Sequence, residues 1–543
     1  MLFNSPEFLF GFLPISLAGF FFLSRFAAPS WAAMWLVLAS FVFYAWWRTD
    51  FVPLLILSMA FNFAMGLALA RAADQPSAKP LLIFGVAANL AALGWFKYSG
   101  FFAEILNDMT QWGVPVPSIT LPLAISFYTF NQIAYLVDVY AGEARERNFV
   151  NYMLFVLFFP HLIAGPIVHH KEMLPQFAKP ETYRFDLNTF VLGMTAFGIG
   201  LFKKVCIADP LASQTEIAFG PAAGGLAPSF IDSWYGSVTY ALQIYFDFSG
   251  YSDMAVGLGL MFGIVLPINF ASPYRATSII EFWSRWHMTL TRFLTGYIYN
   301  PIAMALTRRR MAARKSTFSR NKPRFEPFVM MVAFPTIMTM TLAGVWHGAG
   351  WTFLAFGVWH GLALTVNHGW RALRRVYHWD RTFGWAGTAL AVIVTFMTVV
   401  IGLVFFKSTS MDQAWAVLRG MAGLGGEAEL MATRHANPAD MTILQFLQWR
   451  LVSIQGALIA VAFLIVYCLP NTARYLEYLS QTMKDGAFAR TVVRLPLHLA
   501  RRLVDVVIPD SRFLQGSVVG ILVALATLRV ISAAPTEFLY FTF

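Results

Sequence analysis

Long apolar runs, each broken by a small polar or basic cluster, set the pattern of this chain. Candidate spanning stretches fall near 31–47, 51–70, 80–96, 119–140, 150–168, 187–204, 233–248, 254–270, 328–345, 351–368, 385–406, 452–469 and 515–533, after a first run that follows Met1–Glu7. Most approach the roughly 20 apolar residues an α-helix needs to cross a bilayer, whereas barrel strands are short and alternate. The pattern therefore predicts an all-α, polytopic membrane protein with about 11–14 membrane segments. The first run is followed by Arg25 instead of a small-residue cleavage site, and no basic stretch precedes it, so it reads as a retained span. Segments 271–300 and 474–505 are amphipathic and belong at the interface or over the inner mouth. With no long low-complexity linker and no solenoid repeat, residues 1–543 read as one membrane domain.

Composition agrees. Of 543 residues, 58% are hydrophobic and only 12% charged, too little polar surface for a soluble domain. The formal charge of +11 could indicate nucleic acid, but lysine and arginine gathered in cytoplasmic loops account for it better. Arg308, Arg309, Arg310, Arg314, Lys315, Arg320, Lys322 and Arg324 crowd one loop. Arg371, Arg374 and Arg375 follow a later span, and Arg490, Arg494, Arg501 and Arg502 precede the last. Placing these inside also puts Arg71 and Lys203-Lys204 inside and both termini outside. Two cysteines, Cys206 and Cys468, are too few for a disulfide framework, and no Cys/His cluster has metal spacing.

Candidate chemistry sits where polar groups interrupt apolar runs. Trp346-His347-Gly348-Ala349-Gly350 joins two apolar helices. An ionisable group inside a bilayer is costly and marks a functional site by default, the alternative being a histidine hydrogen-bonded into a helix contact. Val345-Trp346-His347-Gly348 recurs as Val358-Trp359-His360-Gly361. Thirteen helical residues rise about 20 Å, so the two histidines cannot share a site without a fold-back. Flanking glycines favour His347, leaving His360 as a packed histidine. In Glu281-Phe282-Trp283-Ser284-Arg285-Trp286-His287, helical spacing pairs Glu281 with Arg285 and turns His287 toward apolar surroundings. Asn131 and Asp138 share a stripe with Phe127 and Phe130. Asp247 and Asp253 need partners, with Arg275, Arg285 or Lys171 available. His161, His169 and His170 surround a Gly-Pro turn, and adjacent histidines point apart, which makes a poor metal site.

These residues alone do not separate an acyltransferase from a transporter. Several blocks in one order do more: Lys97-Tyr98, Ser126-Phe127-Tyr128-Thr129-Phe130, Asp138-Val139-Tyr140, His161-Leu162-Ile163-Ala164-Gly165-Pro166, Gly200-Leu201-Phe202-Lys203-Lys204, Tyr245 to Asp253, Asn269-Phe270, Phe282 to His287 and Trp346-His347-Gly348. In these the chain resembles the membrane-bound O-acyltransferase (MBOAT) family, in the bacterial branch that acetylates alginate and D-alanylates teichoic acid. Its length, running well past the second helix of the His347 pair, favours the alginate side.

The resemblance implies a helical body with a central funnel or tunnel, a core at 97–370, and peripheral helices at 1–96 and 385–543. It implies His347 and His287 as catalytic residues, with Trp346, Trp283, Trp286, Asn131 and Asp247 binding substrate and no metal. Also implied are a multi-pass place in the bacterial inner membrane and an acetyl-CoA or acyl-carrier thioester donor, with no permanently bound cofactor. Expected partners are a periplasmic acetyltransferase of SGNH type or an equivalent acceptor, the exopolysaccharide machinery, a cytoplasmic acyl-donor protein and membrane lipid, with no nucleic acid. The leading function is acetyl transfer across the membrane for O-acetylation of an alginate- or cellulose-like polysaccharide. D-alanine or another acyl group comes second, and a non-catalytic transporter third.

Overall fold

Helices α1 (Glu7–Phe26), α2 (Pro29–Ala45), α3 (Thr49–Arg71) and α4 (Ala78–Thr110) form an antiparallel N-terminal group, and α5 (Ile125–Tyr140) leads into the centre. A computed structural model describes residues 1–319, 324–379, 384–425, 454–482, 512–534 and 536–539. Arg320, Lys322, Arg490, Arg494, Arg501 and Arg502 lie outside the described residues. The centre holds α6 (Leu187–Ala223) and α7 (Phe230–Met261), the short pieces α8 (Ile279–Trp283) and α9 (Met288–Leu294), then α10 (Phe325–His347), α11 (Trp351–Val376) and α12 (Gly384–Lys407). It is followed by α13 (Met411–Met421), α14 (Ile454–Cys468), α15 (Thr472–Thr482) and α16 (Arg512–Ser532). The all-α, polytopic reading holds: no strand forms among the described residues. Six of their helices are long and apolar enough to cross a membrane, or seven if the bent pair Gly456–Cys468 and Thr472–Ser480 is one span. The higher count from sequence also took in shorter apolar pieces such as Pro29–Ala45 and Gly516–Ser532.

The spine is the α6–α7 contact. A Cβ on Gly250 would lie 2.7 Å from the Gly200 carbonyl, and one on Gly200 would lie 2.5 Å from that of Gly250, so only glycine lets these backbones touch. Three sequence expectations change here. The stretches 233–248 and 254–270 are not two spans: one helix runs from Phe230 to Met261 and the chain turns out of it at Gly263. Lys203 and Lys204 do not end their helix, which continues to Ala223. They sit mid-helix in a π turn, Lys203–Ala208. Asp247 and Asp253 pair with neither Arg275, Arg285 nor Lys171. Lys204 Nζ lies 2.6 Å from Asp247 Oδ1 and 2.8 Å from Asp209, and Lys203 Nζ lies 2.6 Å from Asp253. Two charges so deep need each other, because an isolated one would be stranded in low dielectric. The same pair holds the C-terminal segment: Lys204 donates to the Glu537 carbonyl at 3.0 Å, and Leu539 N–H donates to Asp247 Oδ2 at 3.0 Å. Between them Phe538 stacks on Tyr251 at 4.6 Å, against whose ring Phe3 also stacks at 4.6 Å.

Replacing Lys204 with Met strands Asp247 and is expected to cost roughly 3–5 kcal/mol of stability. Thermal unfolding in detergent should show that loss and a partial recovery when Asp247→Asn is added. An unchanged midpoint for Lys204→Met would contradict the pairing.

Candidate active site

Helix α10 stops at His347 because the chain leaves it through an extended Gly348, and α11 begins only at Trp351. Its last carbonyls would be stranded in an apolar interior, and a neighbouring helix supplies their donors. A π turn at Gly94–Tyr98 in α4 turns Lys97 and Tyr98 toward them. Lys97 Nζ donates to the carbonyls of Trp346 and, at 3.1 Å, His347, and Tyr98 donates its hydroxyl to Val345 O at 2.9 Å. A cation there also suits the helix dipole.

The site's aromatic wall stands next to that cap. Trp346 is 5% exposed and stacks on Phe130 at 5.2 Å, with Phe127 edge-on at 5.4 Å. Its Nε1–H is buried without a hydrogen-bond partner among the described residues. Trp346 ring centroids lie 4.8 Å from His347 and 6.5 Å from His287, so one indole borders both imidazoles. Phe406 and Phe356 close on His347 at 5.2 and 6.0 Å.

His287 is fully buried, but residues 281–294 are not one helix. The chain breaks between Trp283 and Met288, and His287 takes a left-handed backbone, φ 44° and ψ 53°. Such a conformation costs about 1–3 kcal/mol in a bulky residue and persists where surrounding contacts over-determine it. Asn269 supplies them: its carbonyl accepts Met288 N–H at 3.0 Å, and its Oδ1 accepts Thr289 N–H at 3.2 Å and Thr289 Oγ1–H at 2.8 Å. A backbone N–H can only donate, which fixes that atom as the amide oxygen. His287 Nδ1, 3.1 Å from the same Oδ1, must then carry the hydrogen, leaving Nε2 as the ring's acceptor. The local expectations divide accordingly. Glu281 and Arg285 pair at 2.5 Å as their spacing predicts, and Arg292, past the break, pairs with Glu172.

Two cavities approach this wall from opposite ends of the bundle. One of about 1150 Å³ is lined by Lys179, Arg184 and Arg292 at its mouth and by Trp283, Met288 and Thr289, the neighbours of His287. Phe21, near the end of α1, also lines it. The other, about 130 Å³, is lined by Trp346 and His347 together with Lys97, Ser126, Phe127 and Trp47, which follows the far end of α2.

The remaining sequence candidates fall as follows. Trp283 lines the large cavity and donates Nε1–H to His360 Nδ1 at 3.4 Å, which gives His360 the packed role expected of it. Trp286 belongs to an aromatic stack with Phe282 at 5.6 Å and Tyr274 at 6.1 Å. Asp247 is engaged by Lys204. Asn131 is buried beside Phe130, and its Oδ1 lacks a hydrogen-bond partner among the described residues. The expectation that His169 and His170 point apart is overturned: His169 Nε2 and His170 Nδ1 both face Asp138. Among groups the sequence reading did not assign, Asn269 and Lys97 stood in quoted blocks, where each interrupts an apolar run. Thr289 carried no signal.

The membrane-bound O-acyltransferase family profile matches residues 141–320, which include His287. A peptidoglycan O-acetyltransferase of Helicobacter pylori is 37% identical over 508 residues, covering 88% of this chain and 91% of that protein. The chain belongs to the membrane-bound O-acyltransferase family. Wherever a match of that length begins, it takes in both His287 and His347. A probable alginate O-acetylase AlgI of Pseudomonas aeruginosa is 38% identical over 436 residues, covering 78% of this chain and 75% of the relative. A teichoic acid D-alanyltransferase of Bacillus subtilis is 26% identical over 286 residues, covering 52% and 68%. The chain is thus a multi-pass membrane O-acyltransferase.

If Asn269 sets the His287 tautomer, Asn269→Leu should lower acyl transfer by about ten- to hundredfold with the protein still folded, as loss of an orienting partner does elsewhere. Asn269→Asp, which keeps the acceptor, should retain most activity. Equal loss in both would contradict the tautomer assignment.

Proposed function

We propose that the protein transfers an acetyl group from a thioester on the basic-loop side of the bacterial inner membrane toward a glycan acceptor on the other side. The observation that carries this is a pair of cavities at opposite ends, the small one lined by Trp346 and His347 and the large one by Met288 and Thr289, next to His287. The large cavity is lined by both signs of charge, with Arg292 taken up by Glu172; its exposed Lys179 and Arg184 suit the phosphates of acetyl-CoA or of an acyl-carrier arm, and the small cavity admits the acceptor hydroxyl.

The chemistry follows from the side chains. A hydroxyl is a weak nucleophile at neutral pH until a base takes its proton in the transition state. His347, lining the acceptor cavity, is that base. The hydroxyl oxygen attacks the thioester carbonyl, the oxygen of the tetrahedral intermediate takes up charge, and the C–S bond then breaks. The departing thiolate takes the proton held by the imidazolium. Trp346 Nε1–H, a buried donor, is placed to stabilise the oxyanion. His287, whose neighbours Met288 and Thr289 line the donor cavity, is the positioning residue on the thioester side. Trp283 shapes the donor cavity, and Asn131 offers a buried amide oxygen to the acceptor.

The relatives named for peptidoglycan and for alginate O-acetylation support acetyl as the group and a glycan as the final acceptor. With no Ser-His-Asp arrangement evident in the sequence, delivery falls to a periplasmic acetyltransferase of SGNH type or an equivalent, working with the exopolysaccharide machinery. The match to a D-alanyltransferase supports a second reading, transfer of D-alanine from a small acidic carrier protein bound at the basic surface.

Labelled acetyl-CoA added to proteoliposomes with periplasmic extract tests the first reading. His347→Ala should lose about 10²–10⁴-fold in transfer, while His360→Ala should lose stability but stay within roughly tenfold per folded molecule. Unchanged transfer by folded His347→Ala would overturn the base assignment. A folded wild type active only with a D-alanyl carrier would favour the second reading.

A further inference from the structure

At the end of α5 a buried carboxylate draws three groups onto one oxygen. Asp138 Oδ2 lies 3.0 Å from His169 Nε2, 3.1 Å from His170 Nδ1 and 2.6 Å from the Tyr297 hydroxyl, which itself lies 2.9 Å from His169 Nε2. The cluster is separate from the His287–Trp346–His347 wall, and no step proposed above uses it. Local backbone explains the convergence. His169 is extended and His170 begins the helix His170–Phe177, so the neighbours present different ring nitrogens to one point. A π turn at Thr295–Tyr299 carries Tyr297 to the same place.

We propose that Asp138, His169 and His170 form a binding site for a divalent transition-metal ion of the zinc class, with the Tyr297 oxygen as the fourth donor. The single ligand atoms of the two histidines and the carboxylate all lie within 4.8 Å of one another. Two imidazoles, one carboxylate and an oxygen are a donor set that suits zinc. Bonds of about 2.1 Å to a tetrahedral ion place ligand atoms about 3.4 Å apart, so loading needs the His169 and His170 nitrogens, at 3.0 and 3.1 Å from Asp138 Oδ2, to draw back by a few tenths of an ångström and the Tyr297 oxygen, at 2.6 Å, by about 0.8 Å.

Hydrogen counting at His170 points the same way. Its Nε2 faces the Glu143 carbonyl at 3.3 Å, and its Nδ1 faces the Asp138 carboxylate. Both of those atoms are acceptors, and a neutral imidazole has one hydrogen to give. A metal on Nδ1 satisfies both sides, and giving the other N–H to a backbone carbonyl is the usual arrangement for a metal-bound histidine. At His169 the ion would shift the hydrogen to Nδ1 and break one long bond, the 3.3 Å contact from Lys171 N–H. The competing state is a metal-free ion pair between a charged His170 and Asp138.

The site bears on the reaction by position. Asp138 shares α5 with Phe127, Phe130 and Asn131, while Lys171 and Glu172 line the large cavity. A bound ion would clamp the end of α5 to the rim of that cavity.

Full-length protein in nanodiscs, stripped with chelator and loaded with Co²⁺, reads the site directly. Wild type should hold one ion per chain with a visible ligand-field absorption that Zn²⁺ abolishes by exchange. His169→Ala with His170→Ala should lose the band and at least ~tenfold in affinity. Asp138→Asn, nearly isosteric, gives the same reading if the double variant does not fold. Tyr297→Phe should alter the band without abolishing binding. Wild type that retains no more metal than the ligand variants would overturn the proposal and leave the His170–Asp138 ion pair in its place.

Discussion

Ending a helix inside an apolar interior exposes carbonyls that neither water nor lipid can satisfy, and the active site is built on the solution to that problem. Lys97 and Tyr98 reach from α4 to close the end of α10 at Val345, Trp346 and His347. Once the end is closed, the chain can leave through Gly348 and Gly350 without stranding backbone, and His347 can sit at a helix terminus with cavity beside it. Trp346, fixed by the same cap and by Phe130, stands against both imidazoles.

A second device recurs through the molecule. Single π turns at Gly94–Tyr98, Lys203–Ala208 and Thr295–Tyr299 each rotate a polar residue off the face a regular helix would give it. They deliver Lys97 to the α10 carbonyls, Lys204 to Asp247, and Tyr297 to Asp138. The first two lie inside long, largely apolar helices, so the surrounding packing can hold the local irregularity.

What the sequence showed divides along these lines. The all-α membrane class, the break at His347 and the packed role of His360 follow from apolar length, glycine placement and helical rise, all local properties. The His287 conformation did not follow, because the left-handed turn depends on Asn269, eighteen positions earlier in sequence and beside it only in the fold. The partners of Asp247 and Asp253 were misassigned because a lysine pair near the end of an apolar run looks like a topogenic flank. Only the continuation of α6 through Lys203 and Lys204 shows them to be buried ion-pair partners. The convergence of His169 and His170 was hidden for a similar reason: spacing says where two side chains start, not which ring nitrogen each presents.

The central claim is that one wall separates two cavities open to opposite sides of the membrane. Thiol labelling in sealed proteoliposomes of known orientation tests it, using a membrane-impermeant maleimide and a background in which Cys206 and Cys468 are replaced by Ala. Lys179→Cys, in the large cavity, and Leu121→Cys, in the small one, are both exposed positions. The two should be labelled from opposite sides, and Lys179→Cys from the side bearing the basic loops. Labelling of both from the same side would contradict the account.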